Sequence, residues 1–383
     1  MIIALLGRQP QIGLAELESL YGIPQLIGDS AALINAEVEP TRLGGTIKLA
    51  RPLRELPTTD WQRIHSALVD ILPSLLAKVG DGKIKLGLSA YGLRVTQQQL
   101  FRSGLELKKI ARANKYSMRV VPSEGTSLNA AAVLYNQLTG DTGIELNLIK
   151  NGDKTWLAQT TWAQNPDDYA ARDFGRPKRD AFVGMLPPKL AQIMLNLAQA
   201  QPGQRVLDPF CGTGVVLQEA ALMGCNVYGT DLQQRMVDFS RANLEWLAQK
   251  YSLTLSPVLN VADATTAKWQ PPLDHVVTET YLGQPLSGLP KPEKLQHIIT
   301  DCNTIISKFL QNLRPQLTKG TRLCLGVPAW YVNGHFKHLP LLDRLEEMGY
   351  NRLRFTQQSS HGVLIYHRED QIVARELLVV TVI

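Results

Sequence analysis

The sequence lacks most of the features that would set it apart from an ordinary folded protein. No apolar run approaches the roughly 18 residues needed to cross a bilayer. The opening Met-Ile-Ile-Ala-Leu-Leu reaches Gly7 and Arg8 too soon for a secretory leader, so the expected location is the cytoplasm. There are only four cysteines, Cys211, Cys225, Cys302 and Cys324, and none forms a C-x-x-C pair. That argues against a zinc site and predicts reduced thiols. Internal repeats and low-complexity tracts are absent. With 44% hydrophobic and 19% charged residues, the composition excludes disorder. A chain of 383 residues is too long for a small disulfide-stapled module and has room for two or three domains. The net charge of +6 permits a polyanionic partner without demanding one, so the placement of the charge has to decide.

From about Gln201 onward, strand-like and helix-like runs alternate, the pattern of a parallel sheet wrapped by helices. Strands are expected at Val206–Pro209, Asn226–Asp231, Pro257–Ala262, His275–Thr278 and Arg322–Val327, with helices beginning near Gly214, Gln234, Pro292 and His338. Such a set makes a doubly wound α/β sheet. After a helix at Leu341–Met348, the runs Asn351–Gln357 and Ala374–Val382 have no helical crossover between them and should pair antiparallel at one edge. Residues 1–80 read as a small α+β domain, with strands at Ile2–Leu6 and Ala31–Ala36 and helices at Leu14–Tyr21 and Trp61–Val79. Residues 81–164 read as a second α+β unit, with helices at Gln97–Asn114 and Leu128–Leu138 among strands at Lys85–Ser89, Met118–Val121, Gly143–Ile149 and Lys154–Thr161. The polar, Arg-rich and Pro-containing stretch in 165–200 reads as a linker and a helix leading into the last domain, 201–383.

The segment Asp208-Pro209-Phe210-Cys211-Gly212-Thr213-Gly214 follows a strand and opens a helix, where glycines let the backbone approach a ligand. A dinucleotide fingerprint needs a third glycine three places after Gly214, and that place is Leu217. An acid precedes the loop instead. Asp208 would repel a pyrophosphate and attract a cationic or hydroxyl-bearing ligand, so S-adenosylmethionine, with its sulfonium and amino group, fits better. Asp231 ends the second strand about 20 residues on, where a carboxylate accepts hydrogen bonds from both ribose hydroxyls. Asp263 ends the third strand, beside the place for an adenine. Any one of these acids alone reads as a cap or turn residue; three at the ends of consecutive strands read as one ligand crevice. Cys211 has no base nearby and reads as packing.

The run Leu207 to Gly214, followed by Gly229-Thr230-Asp231, Asp263-Ala264 and the acidic turn Thr278-Glu279-Thr280-Tyr281-Leu282-Gly283, resembles a class I S-adenosylmethionine-dependent methyltransferase of the amino-methylating kind. Upstream, Arg172-Asp173, Arg176-Pro177 and Met185-Leu186-Pro187-Pro188-Lys189-Leu190-Ala191 resemble the segment before the catalytic domain in THUMP-containing tRNA guanine-N2-methyltransferases, the guanosine-10 group. The likeness is good from about Arg172 to the C-terminus and looser before it, through Leu43-Gly44-Gly45-Thr46 and the α+β patterns. It implies a Rossmann-like class I methyltransferase sheet with an antiparallel edge strand, preceded by ferredoxin-like and THUMP-like modules. It also implies S-adenosylmethionine as cofactor, held by Asp208, Phe210, Gly212, Gly214, Asp231, Asp263, Ala264 and Phe182, although Phe182 equally reads as packing. The implied partner is tRNA. The modified nucleotide, mono- or dimethylation and a small activator subunit are left open.

One departure stands out. The family's strand-four signature is Asp or Asn followed by Pro-Pro and an aromatic, whereas here Glu279, Thr280, Tyr281 and Leu282 occupy those places. In the family pattern the acid or amide accepts a hydrogen bond from the target amine and the aromatic stacks on the base. A purine exocyclic amine has its lone pair delocalised into the ring, so the chemistry needs orientation and proton removal. Glu279 is the expected acceptor and Tyr281 the expected stacking ring, with Thr280 between them in the catalytic turn. The missing prolines keep two alternatives in view: an RNA-binding protein with an inactive methyltransferase-like domain, and a DNA amino-methyltransferase.

Between Phe101 and Val120 lie Arg102, Lys108, Lys109, Arg112, Lys115 and Arg119, against the single acid Glu106. Alone, such a run is a solvated helix face; in a module resembling an RNA-binding THUMP domain it reads as a phosphate-contacting surface. Arg172, Arg176, Lys178 and Arg179 are expected to extend it, and the target base would be flipped out of its stack. His275, His338 and His361 have no metal-ligand spacing and are assigned no metal; His361-Gly362 reads as a hairpin.

Overall fold

The computed structural model describes residues 1–180, 185–286, 288–356, 362–369 and 371–383. Up to residue 163 the elements are β1 (Ile2–Leu6), α1 (Pro10–Tyr21), β2 (Gln25–Ile27), β3 (Ala31–Ile34), β4 (Thr46–Leu56), α2 (Trp61–Leu76), β5 (Ile84–Tyr91), α3 (Gln97–Ala113), β6 (Met118–Val120), α4 (Ala130–Tyr135), β7 (Gly143–Asn151) and β8 (Lys154–Ala163). Contacts divide the chain into two units, residues 1–14 with 21–168 and residues 15–20 with 169–383.

The strands of the first unit form one sheet in the order β2-β3-β1-β4-β8-β7-β5-β6. The two modules expected over 1–80 and 81–164 therefore share a sheet, and β4 is the join: it pairs antiparallel with β1 on one side and β8 on the other. No strand was expected there, because Lys48, Arg51, Pro52, Arg54 and Glu55 hide the apolar alternation. Register shifts at Leu49/Ala50 and Pro52/Arg54 accommodate the proline, which cannot donate to a ladder. α2 begins where expected, with Asp60 accepting from the Arg63 N–H at 3.0 Å. Leu68 and Leu72 of α2 and Leu107 of α3 join Leu86 and Leu146 in the core of this unit.

Lys48 explains how a charge sits inside that sheet. It is fully buried, with Nζ 2.6 Å from Glu145 Oε1 and 2.9 Å from the Leu128 carbonyl. Ser89 donates to the same Oε1 at 2.6 Å, and Thr160 to Oε2 at 2.5 Å. Burial disfavours the ammonium, but Glu145 and Tyr91 outweigh it and hold the Lys48 pKa above the ordinary lysine value.

Unit two contains α5 (Pro166–Phe174) from Tyr169 on, then α6 (Pro188–Leu197), β9 (Arg205–Asp208), α7 (Val215–Leu222), β10 (Asn226–Asp231), α8 (Gln234–Tyr251), β11 (Val258–Val261), β12 (His275–Glu279), α9 (Pro292–Leu313), β13 (Arg322–Val332), β14 (His335–Lys337), β15 (Tyr350–Arg352), β16 (Ile365–Tyr366) and β17 (Val373–Val382). The sheet order is β11-β10-β9-β12-β13-β17-β15, with β14 on β13 and β16 on β17. β9 to β13 run parallel, while β17 is antiparallel to both β13 and β15. This is the expected doubly wound α/β sheet with an antiparallel edge. The helix expected at Leu341–Met348 is instead a single 3-10 turn, Pro340–Arg344. Pro340 and Gly349, the latter at φ 86°, leave too short a span between them for an α-helix to propagate.

Two features of this unit position the site. α6 is buried from Leu190 to Leu197, and α9 packs Ile306, Phe309 and Leu310 against Leu325 and Leu378. The chain reverses its direction of strand addition between β9 and β12, which opens a crevice at their carboxyl ends. No helix among the described residues is long and apolar enough to cross a membrane.

Lys48→Met should destabilise the protein by about 3–5 kcal/mol, because it strands the Glu145 carboxylate without its cation. Urea denaturation checks this. The double variant Lys48→Met/Glu145→Leu should cost less than the single; equal or greater loss would mean that packing volume, not charge, is what Lys48 supplies.

Candidate active site at the carboxyl ends of the strands

The Gly-rich turn after β9 is held in shape from outside. Gly212 and Gly214 have φ values of 51° and 79°, the left-handed region that side chains avoid. At Gly214 a Cβ would also lie 2.8 Å from Ser240 Oγ. Ser240 donates to the Gly212 carbonyl at 2.8 Å, and Asn243 donates to the Thr213 carbonyl at 2.8 Å, so α8 clamps both sides of the turn. Asp231, at the end of β10, accepts from the Gly212 N–H through Oδ2 and from the Gln233 N–H through Oδ1, each at 3.0 Å. Each oxygen keeps a lone pair, and burial raises the carboxyl pKa against these backbone bonds.

Asp208 is 2% exposed. Its Oδ1 accepts from Thr278 Oγ1 at 2.5 Å and from the Phe210 N–H at 3.2 Å, and no described residue donates to Oδ2. Burial pushes its pKa up to about 7, the Thr278 and Phe210 bonds opposing. A desolvated acid with no cation beside it is relieved by an ammonium group, and the open lone pairs of Asp231 suit a ribose diol. The residues present therefore fit S-adenosylmethionine. Phe210 lies edge-on to Phe309 at 5.1 Å. Asp263 is exposed and caps its own turn, accepting from the Thr265 N–H at 2.8 Å and Oγ1 at 2.7 Å, bonds that lower its pKa. Ala264 is buried in the core and its carbonyl accepts from Asn312 at 3.1 Å. The Cys211 thiol is buried, and burial pushes its pKa well up. Phe182 and His361 lie outside the described residues.

The strand-four turn differs from the simple expectation. Glu279 ends β12 and is ion-paired with Arg375 Nε of β17 through Oε1. Oε2 takes no bond from any described residue. Burial raises the Glu279 pKa, and Arg375 works against it. Thr280 does not face a ligand: it is 3% exposed, and both its N–H and its hydroxyl donate to the Gly326 carbonyl, at 2.9 and 3.1 Å. Its part is to pin the turn to β13. Tyr281 is exposed on the turn, and burial raises its phenol pKa, as do Cys302 and Asp301 of α9.

The basic residues separate into two groups. Arg102, Lys108, Lys109 and Arg112 on α3, with Lys115 just beyond it, are all exposed and form no ion pair among the described residues. The acid on this helix, Glu106, is instead 2.8 Å from His65. Arg172 and Arg176 are buried, which corrects their assignment to an RNA surface. Arg172 Nε lies 2.7 Å from Glu219 of α7, and its guanidinium stacks on Tyr169 at 4.5 Å. Arg176 meets Met185 Sδ at 3.2 Å, and burial lowers its pKa. Lys178 and Arg179 remain exposed, over the rings of Phe239 and Phe174 at 5.6 and 5.0 Å. His338 pairs with Glu376 at 2.5 Å, a bond that raises its pKa.

Thr278, Ser240, Asn243, Glu219 and Arg375 were missed by sequence reasoning. The available signal was a charge inside an apolar element: Glu219 in Val-Val-Leu-Gln-Glu-Ala-Ala-Leu and Arg375 at the head of Glu-Leu-Leu-Val-Val both call for buried partners.

Residues 176–325 match the UPF0020 family model, described as an RMKL-like methyltransferase domain. Over 157 residues the chain is 36% identical to a tRNA (guanine(10)-N2)-dimethyltransferase of Methanothermobacter thermautotrophicus, covering 40% of this chain and 43% of that protein. Over 75 residues it is 43% identical to a tRNA (guanine(6)-N2)-methyltransferase of Thermus thermophilus, covering 18% and 22%. The chain thus spans less than half the length of these curated relatives. In fold it is similar across its whole length to the crystal structure of TrmN from Thermus thermophilus, at a TM-score of 0.56 and 19% identity, with 100% of this chain and 99% of that one covered. The Rossmann-like methyltransferase fold of the second unit is therefore shown.

The raised pKa of Asp208 has a stability consequence. Its folded-state value of about 7 lies above the ordinary 3.8, so the protonated acid's contribution is complete below about pH 4 and is lost as the pH rises through 7. Asp208→Asn keeps an acceptor for Thr278 and removes the titration. Its stability relative to the parent should therefore climb between pH 5 and pH 8, at a slope of up to roughly 1.4 kcal/mol per pH unit. Denaturant midpoints at those two pH values check this; a constant difference contradicts it.

Proposed function

We propose that this protein transfers a methyl group from S-adenosylmethionine to the exocyclic N2 of a guanine in tRNA, in the cytoplasm. The observation that carries the reading is the meeting, where β9 and β12 part, of a desolvated Asp208 that wants a cation and a Glu279 whose Oε2 is open to a donor. When bound, S-adenosylmethionine supplies an electrophilic methyl group on a positively charged sulfur. Asp208 receives its ammonium, Asp231 accepts from its ribose hydroxyls, and Gly212 and Gly214 let the backbone come close. Glu279 accepts a hydrogen bond from the target amine, which turns the nitrogen towards the methyl group, and then takes the displaced proton. The exposed Tyr281 stacks on the extruded base. The matched family and the names of the relatives support a tRNA guanine as the target.

The first unit supplies the grip on RNA as a THUMP-like module. The four cations of α3 and Lys115 beyond it are exposed and free of ion pairs among the described residues, while the helix's single acid, Glu106, is turned to His65 at 2.8 Å. Such contacts set position, and the target follows from where the crevice falls on a fixed RNA shape. One observation favours the alternative of an inactive domain: Arg375 already occupies one oxygen of Glu279.

Purified protein incubated with labelled S-adenosylmethionine and unmodified tRNA should produce N2-methylated guanosine, identified by mass spectrometry after digestion. Cofactor binding without transfer to any cellular RNA would establish the inactive alternative, and preference for duplex DNA the other. Replacing Lys108, Lys109 and Arg112 with Glu should weaken tRNA binding by roughly 10-fold or more and flatten the salt slope by about 2–3, since each lost phosphate contact removes about 0.9 from it. Cofactor affinity should not change. An unaltered slope would return α3 to the status of a solvated surface.

A further inference from the structure

Glu279 and Arg375 belong to strands that do not touch each other: β13 runs between them. Glu279 stands opposite Gly326 and Arg375 opposite Pro328, so the ion pair crosses β13 on a diagonal. Gly326 places no side chain between them: a Cβ there would be in ordinary contact with Met194 Cε at 3.6 Å and Glu279 Cβ at 3.9 Å. An aspartate at 279 would be one methylene too short for the span. Among the described residues no second cation acts on Glu279: Asp208 of β9 is an acid, with Asp231 of β10 beyond it, and Met194 of α6 is apolar.

We propose that Arg375 is the positioning residue of the methyl acceptor site. By holding Oε1 through Nε, it fixes the side chain of Glu279, keeps the buried carboxylate charged, and leaves Oε2 as the single acceptor presented to the target amine. Thr280 completes the device: its two bonds to the Gly326 carbonyl immobilise the turn that lacks the stiff prolines. In the reaction the nitrogen electron pair forms the bond to the methyl carbon, and the carbon–sulfur bond breaks with its pair kept by sulfur. The proton shed by nitrogen passes to Oε2 and from there to water. This assignment rests on the methyl-transfer reading above.

The test is a set of variants at both positions. Arg375→Gln should bind S-adenosylmethionine as the parent does and leave KM for tRNA nearly unchanged. Its kcat at pH 7 should fall roughly 10- to 100-fold, the order expected when a base is no longer held and charged. The loss should shrink as the pH is raised, because burial then acts on Glu279 unopposed and moves the acid limb upward. A uniform loss at every pH would mean a merely structural role and would overturn the proposal. Should Arg375→Gln fail to fold with its stranded carboxylate, Glu279→Gln/Arg375→Gln removes both charges. Its kcat should equal that of Glu279→Gln alone, since Arg375 acts only through Glu279; a further loss refutes the assignment. A 13C NMR titration of the Glu279 carboxyl, without RNA, separates the two claims. If Glu279 titrates alike with and without Arg375, the positioning role is wrong. If its titration moves but the parent protein methylates no tRNA, the function is wrong and the positioning stands.

Discussion

Negative charge taken out of water at the carboxyl ends of β9 and β12 is the constraint around which the second unit is arranged. Asp208 is buried and Glu279 largely so; burial raises the pKa of both, and the charges of Asp231 and Glu279 further disfavour ionisation of Asp208. The structure treats them differently. Glu279 has a cation of its own in Arg375, whereas Asp208 has only the Thr278 hydroxyl and the Phe210 N–H. One acid is thus neutralised internally and the other is left for a ligand to neutralise. That asymmetry gives the crevice two sides, one with an uncompensated acid and one with a carboxylate already paired through one oxygen.

The same use of buried charge recurs away from the crevice. Lys48 and Glu145 tie β4 to β7 inside the first sheet, and Arg172 and Glu219 tie α5 to α7 in the second unit. Such pairs add little over well-packed apolar residues, but breaking one leaves a desolvated charge, so mispairing is costly. The Arg172 pair matters for the site because α7 starts at the Gly-rich turn. Asn243 adds a second tie: it joins the backbone of residue 178 to the Thr213 carbonyl. The segment before the sheet is thereby fastened to the Gly-rich turn.

What could be read from the sequence was local. The Gly-rich turn, the acids that end β9 and β10, the five parallel strands and the antiparallel edge all follow from residues a few places apart, whose alternation and turn chemistry need no distant partner, whereas Asp263 lies beyond the end of β11 and caps its own turn. What escaped depended on partners far along the chain. β4 was hidden because its charges looked like solvent-facing residues, while Lys48 finds Glu145 from 97 positions away. Arg172 looked like any surface arginine, and only Glu219, 47 residues on, makes it an interior one. An Arg or Lys carries no mark in sequence that tells a phosphate contact from a buried ion pair; the opposing acid decides, and it lies on another element. α3 illustrates the converse, since its cations were recognised correctly as exposed because no acid of their own helix could mask them all.

The strand-four turn is where these considerations meet. Taken alone, Glu279 in place of a shorter acid and the absence of two prolines look like the erosion of a catalytic motif. Erosion, however, has no reason to supply compensations. Here the longer acid is matched by an arginine two strands away, by a glycine opposite it that clears the path, and by a threonine whose hydroxyl and N–H both fasten the turn to that glycine's carbonyl. A desolvated glutamate without the arginine, or the arginine without the glutamate, would be unfavourable, so the ion pair and the pinned turn together hold a geometry. The geometry held is one carboxylate oxygen anchored and one left open.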